Sequence, residues 1–116
     1  MRNISFSLTE AQFQEGSKTV TRRLGWAFLK PGDRLMGVRK AMGLKHGEKI
    51  HRLGEIEVVS RRRESLSQID HLDCAREGFP DFDPVDFVGM FCKHMRCKPE
   101  TKVTRIEFKR IPAEDA

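Results

Sequence analysis

Ile4, Phe6 and Leu8 alternate with Asn3, Ser5 and Ser7, the period of two that a half-buried strand imposes. The same period returns at Leu53 to Ser60, where Ile56 and Val58 oppose Glu55 and Glu57. It returns again at Thr104 to Ile111, where Thr104, Ile106 and Phe108 oppose Arg105, Glu107 and Lys109. Arg34 to Arg39 gives a shorter strand, with Leu35 and Gly37 facing one way and Met36 and Val38 the other. β-Branched residues make Thr19 to Arg23 extended as well. Strict alternation there puts Thr19, Thr21 and Arg23 on one face and Lys18, Val20 and Arg22 on the other, with Val20 marking the core side.

Helical signals are fewer. Thr9-Glu10-Ala11-Gln12 has the form of a capping box, which predicts a short helix ending near Gly16. A second helix is predicted from Gln68 or Asp70 to Glu77, with Ile69, Leu72 and Ala75 or Arg76 at helical spacing and Gly78 as its stop. Asp83-Pro84 is a stronger start: aspartate caps, proline fits the first helical position, and Asp86 lies in the first turn against the positive end of the dipole. Val85, Val88, Phe91, Cys92 and Met95 can share the buried face of that third helix, which runs to about Met95 before Pro99. The resulting order, β-α-β-β-β-α-α-β, predicts an α+β fold or a small barrel and not a doubly wound sheet.

Two connections stand out. Lys30-Pro31-Gly32-Asp33 reads as a turn in which proline presets its own dihedral and glycine supplies a positive φ. Lys40 to Arg52 holds two glycines, two histidines and four Lys or Arg residues with no apolar repeat, and reads as a basic surface loop or hairpin tip. At 116 residues the chain is expected to form one domain through residue 111, followed by a disordered tail from Pro112 to Ala116. No apolar run approaches a membrane span and no secretory signal pattern opens the chain, so a cytoplasmic protein with no membrane partner is expected. Cys74, Cys92 and Cys97 are expected as reduced thiols, since three cysteines cannot all pair within one chain.

Charge sharpens the picture. The formal net charge is +5, but residues 18 to 63 carry thirteen Lys or Arg against four acids, while residues 64 to 90 carry one arginine against seven acids. That split fits a basic binding face beside an acidic flank, and equally a surface whose charges mix in three dimensions. Within the basic half, Gly16 to Asp33 gathers Lys18, Thr19, Thr21, Arg22, Arg23 and the single tryptophan, Trp26. Cations and hydroxyls suit phosphate or a polarised carbonyl, and an aromatic ring gives a base something to stack on, although Trp26 and Phe28 fit a core equally well. Lys40, Lys45 and the run Arg61-Arg62-Arg63 are further candidates for nucleic-acid contact. Gly16-Ser17-Lys18-Thr19 lacks the Gly-Lys-Thr adjacency of a P-loop. His71, Cys74, Cys92, His94 and Cys97 lack the spacing of a zinc site, so no metal or other cofactor is expected.

With these residues laid out, the chain resembles the ASCH family of the PUA-like superfamily. Lys18-Thr19-Val20-Thr21-Arg22-Arg23 is similar to the family's Lys-Thr-x-Thr-x-Arg block, Lys30 to Asp33 to the turn that follows it, Ala75-Arg76-Glu77-Gly78-Phe79 to its Glu-Gly-Phe segment, and Thr104 to Ile111 to its closing strand. The resemblance implies a small PUA-like β-barrel with helices packed around its mouth and a cleft that contacts RNA or a modified nucleoside. Some members are amidohydrolases that remove an acyl group from N4 of cytidine with a lysine, a threonine and a glutamate, which fall here on Lys18, Thr21 and Glu77. Others are seen as non-catalytic RNA-binding modules or, less fittingly here, as ribonucleases. A monomer is the default expectation.

Overall fold

The computed structural model describes residues 1 to 113. Five strands, β1 (Arg2–Ser5), β2 (Val20–Arg23), β3 (Arg34–Val38), β4 (Arg52–Ser65) and β5 (Lys102–Arg110), form one mixed sheet in the order β1-β3-β4-β5-β2. Among the described residues three helices, α1 (Glu10–Glu15), α2 (His71–Arg76) and α3 (Pro84–Met95), complete the α+β architecture, with one 3₁₀ turn at Leu66–Gln68. Only β1 and β3 run parallel; every other pairing is antiparallel. The sheet curls into a half-barrel. Its edge strands, β1 and β2, are linked where Arg23 Nη2 of β2 donates to the Ser5 carbonyl at the end of β1, 2.6 Å away.

The long strand β4 carries the curvature. Its pairing with β5 shifts between Val58 and Ser60, leaving Val59 at a bulge, and its pairing with β3 shifts between Gly37 and Val38. Bulges of this kind bend and twist a strand, which lets a single sheet wrap a core. Ile4, Phe6, Phe13, Leu35, Ile56, Val58, Ile106 and Phe108 fill the concave side, where the Phe6 and Phe13 rings stack with centroids 4.5 Å apart. Leu66, Ile69, Cys74, Phe87, Phe91 and Val103 build a second core under α2 and α3. β5 lies between β4 and β2, and Val103, Thr104, Arg105 and Ile106 are buried in succession, so the expected alternation breaks down in the first half of this interior strand.

Several local expectations need correction. Thr9 precedes α1, but its side chain makes no capping hydrogen bond; its carbonyl accepts from Phe13 N while the residue is buried against a cavity. The buried positions of α3 are Phe87 and Phe91, one turn apart, whereas Val85 and Met95 are exposed. The larger rings set the helix rotation, because they bury more apolar surface than Val85 and Met95 can. The strand expected over Leu53 to Ser60 continues to Ser65, so Arg61, Arg62 and Arg63 lie within β4. Pro112 and Ala113 have no regular structure, and the rest of the expected tail, residues 114 to 116, lies outside the described residues.

Candidate functional site

Lys18 is positioned by backbone before its side chain acts. Gly16 ends α1 with φ +85°, the chain reverses, and Lys18 N donates to the Gln12 carbonyl. Thr19 N then donates to the Arg76 carbonyl at 2.8 Å, which fastens the entry to β2 against the last turn of α2. Glu77 follows directly. Because Lys18 precedes β2, strand alternation does not separate it from Thr21.

The Lys18 ammonium donates to both the carboxylate and the backbone carbonyl of Glu77, each at 2.8 Å. Lys18, Thr21 and Glu77 are each at most 4% exposed, and all three line one cavity of about 190 Å³. Thr21 Oγ1 accepts from Arg23 Nε at 3.0 Å. Phe79, Phe87 and Phe91 form an apolar wall to the same space, and Ser5 and Phe6 bring in the opposite sheet edge. The cavity therefore opens at the seam of the half-barrel, with charge on one side and aromatic rings on another.

Beneath it lies a cluster of buried ions. Arg22 reaches Asp73 at 2.6 Å, Glu64 at 3.0 Å and Glu77 at 3.4 Å, so its guanidinium is shared by three carboxylates. Asp73 is also gripped by Arg105, at 2.6 and 2.9 Å, and by Arg76 at 3.0 Å. Burial works against the charge on Arg22, yet its hydrogen bonds and carboxylate neighbours raise its proton affinity on balance. Burial likewise disfavours the Asp73 carboxylate, but its three arginines hold its pKa well below the usual carboxylate range. Lys18 moves the other way: burial pushes the ammonium below its ordinary value, Glu77 opposes this, and the charges of Arg23 and Arg22 add to the lowering. Burial pushes the Arg23 guanidinium down to about 10.

The charge balance explains which group yields. Lys18, Arg22 and Arg105 face Glu64, Asp73 and Glu77, three buried cations against three buried carboxylates, and Arg23 adds a further desolvated cation beside the cavity. Of the four, the lysine is the group that most readily releases a proton. What the geometry offers is a hydroxyl, an amine with weakened proton affinity and a carboxylate fixing that amine, all bordering a small aromatic-walled space.

Other sequence-derived candidates fall elsewhere. Arg22 borders the cavity, and its guanidinium is shared among Glu64, Asp73 and Glu77. Thr19 is exposed and lies outside the lining. Trp26 packs partly against the first core and stacks on Phe28 with centroids 5.7 Å apart, so it is not a platform in this cavity. Arg61 donates to the Leu29 carbonyl, Arg62 pairs with Glu64, and Arg63 donates to Thr104, while all three residues remain exposed on β4, outside the lining of the cavity. Lys40 borders a second cavity of about 260 Å³ with Arg39, Lys49 and His51, and contacts Glu48 at 3.7 Å; Lys45 lies outside both linings.

Three charged members of the cluster, Glu64, Asp73 and Arg105, escaped the sequence reading. A signal existed for Asp73: it precedes Glu77 by four positions, which stacks two carboxylates on one side of α2. Among the described residues no group of three or more His, Cys, Asp or Glu side chains is arranged to hold a metal ion, and no helix is long and apolar enough to cross a membrane.

No family model and no curated protein matches this sequence. Solved structures do. Protein EF3133 from Enterococcus faecalis, of the DUF984 family, superposes with a TM-score of 0.66 at 12% identity, over 96% of this chain and 76% of that one. The hypothetical protein PH0355 gives a TM-score of 0.63 at 17% identity, over 95% and 96% of the two chains. An ASCH domain from Lactobacillus crispatus gives 0.57 at 15% identity, over 94% and 78%. At such identities the likeness is one of architecture, and the half-barrel with its flanking helices has the fold of an ASCH domain.

Proposed function

We propose that the chain binds a cytidine nucleoside in the cavity at the barrel seam and hydrolyses an acyl amide on its N4. One observation carries this reading: a fully desolvated Lys18 with weakened proton affinity shares a cavity with Thr21 and is held by Glu77. A space of about 190 Å³ suits a single heterocycle with a small acyl substituent, with an aromatic face for the ring and polar groups for its edge.

The chemistry follows from the residues. In its unprotonated form Lys18 takes the proton of the Thr21 hydroxyl as Thr21 Oγ1 bonds to the acyl carbon and the carbonyl electron pair moves onto the acyl oxygen; Arg23, already donating to Thr21 Oγ1, favours loss of the hydroxyl proton. Lys18 passes the proton to the departing N4 amine as the carbon–nitrogen bond breaks, leaving an ester on Thr21. Water, deprotonated by the same lysine, then cleaves the ester to carboxylate and free threonine. Glu77 holds the lysine in place throughout.

Purified protein incubated with N4-acetylcytidine is expected to release cytidine and acetate. Thr21→Ala and Lys18→Ala are expected to lose at least 100-fold in kcat/KM, the scale of a general base or nucleophile, with the circular dichroism of the parent retained. No turnover above buffer across acetyl, propionyl and benzoyl substrates defeats the reading.

A second reading, RNA binding without catalysis, draws on the cavity lined by Arg39, Lys40 and Lys49, which shares Ser7 with the first. It predicts RNA affinity that falls steeply with salt as phosphate neutralisation releases counterions. Undetectable binding to single-stranded and structured RNA at low salt removes it.

A further inference from the structure

Helix α3 ends in a motif that brings two cysteines together. Arg96 adopts the left-handed conformation at φ +52°, its N–H donates to the Cys92 carbonyl, and Cys97 N donates to that same carbonyl at 3.3 Å. In a helix end of this type the residue three positions before the last helical one and the residue after the left-handed one face each other, and an apolar contact usually fills the pair. Here both positions are cysteine, and their sulfurs lie 3.9 Å apart. Each thiol is half-buried against the second core, whereas Cys74 is fully buried.

We propose that Cys92 and Cys97 form a reversible dithiol–disulfide site that reacts with low-molecular-weight disulfides of the glutathione type. The helix-end hydrogen bond from Cys97 N to the Cys92 carbonyl brings the two residues together, and bond formation has to close the sulfur separation from 3.9 Å to about 2.05 Å. One thiolate attacks the glutathione disulfide and expels one glutathione thiolate; the second cysteine, as thiolate, then attacks the mixed disulfide and expels the other. Two protein thiols become one disulfide, and one glutathione disulfide becomes two glutathione molecules. Burial, with the hydrogen bond from Cys97, pushes the Cys92 thiol up, so the exchange accelerates toward alkaline pH. The segment the bridge closes includes His94 and Met95, both of which line the cavity at the barrel seam. Among the described residues no third His, Cys, Asp or Glu completes a metal site with the pair, which favours thiol exchange over metal capture.

The test is equilibration of the intact protein in graded glutathione redox buffers, acid quenching, alkylation after unfolding, and trypsin digestion. Trypsin cuts after Lys93 and Arg96, so a bridge appears as two linked peptides that reductant separates. Oxidation is expected to lower the alkylatable thiols from three to one, Cys74, and to return three on reduction. Cys97→Ser is expected to convert the product into a stable glutathione adduct at Cys92. Stable glutathione adducts on the parent protein, disulfide-linked dimers in place of the linked peptides, or three free thiols under the most oxidising buffer each overturn the proposal.

Discussion

Lys18 illustrates how little a single residue's identity says without its surroundings. On a surface it is a solvated cation; here, behind Gly16 and against Glu77, it is a desolvated amine whose proton affinity is reduced. The linkage has a definite sign. Unfolded, the lysine titrates near its ordinary 10.5; folded, it releases its proton at lower pH, so between the two values the unfolded chain binds more protons. Stability is therefore expected to rise with pH through that alkaline window, and the rise attributable to this site is expected to vanish in Lys18→Met, as read from urea titrations at successive pH values up to about 10.5. An unchanged slope in the variant means that Lys18 is not the titrating group. At this scale the sequence was legible where a motif named the residue, as for Lys18, Thr21 and Glu77. It was silent on Arg105, which is buried where it meets Asp73 of α2, a contact that its own alternation does not reveal.

Among the elements, α2 is the short piece on which the site depends. Asp70 caps it by accepting from Asp73 N, and Gly78 closes it at φ +102°. A β-carbon on Gly78 would lie 2.9 Å from Cβ and Cγ of Gln12, whose amide also donates to the Gly78 carbonyl. Gly78→Ala is therefore both strained in backbone and crowded against α1. A loss of about 1–3 kcal/mol is expected, together with displacement of the adjacent Glu77, measured by denaturant midpoint and, for the proposed reaction, by release of cytidine from N4-acetylcytidine. The cap of α3 is simpler: Asp83 accepts from Asp86 N while Asp86 accepts from Asp83 N, and Asp83→Ala is expected to cost about 1 kcal/mol without altering turnover. That start was readable because Asp-Pro-x-Asp acts locally. The buried face of α3 was not, because its rotation is decided by what Phe87 and Phe91 meet across the second core, Leu66, Val103 and Cys74 among them.

Across the whole molecule, the ion cluster is the seam between two cores. Arg22 on β2, Glu64 on β4, Asp73 on α2 and Arg105 on β5 draw together four elements that are distant in sequence, with the barrel core on one side and the α2–α3 core on the other. The charge halves of the sequence meet here: the acidic flank supplies Glu64, Asp73 and Glu77 to Lys18 and Arg22 of the basic stretch, so those two cations are internal structure while most of the others stay at the surface. Periodicity shows single elements and carries no sign of such pairing, which is why the cluster stayed hidden while the order of elements did not. Removing one partner leaves the rest uncompensated, so Arg22→Met is expected to cost about 3–5 kcal/mol even though methionine suits a buried site. Because Asp73 and Glu64 both have lowered pKa values, their stabilisation is present above the ordinary 3.8 and 4.5 and is lost as pH falls through the folded-state values. Arg22→Met removes a main cause of both shifts and is expected to flatten that acid limb. Hydrogen exchange locates the damage: amides of His71–Arg76 and Pro84–Met95 are expected to lose protection in the variant before those of β3, β4 and β5, because Asp73 ties α2 to the sheet through the cluster and α3 shares the second core with α2, while the sheet keeps its own ladder and core. Uniform loss of protection across helices and sheet would instead mean that the two cores fold as one cooperative unit and that the cluster stabilises the molecule without dividing it.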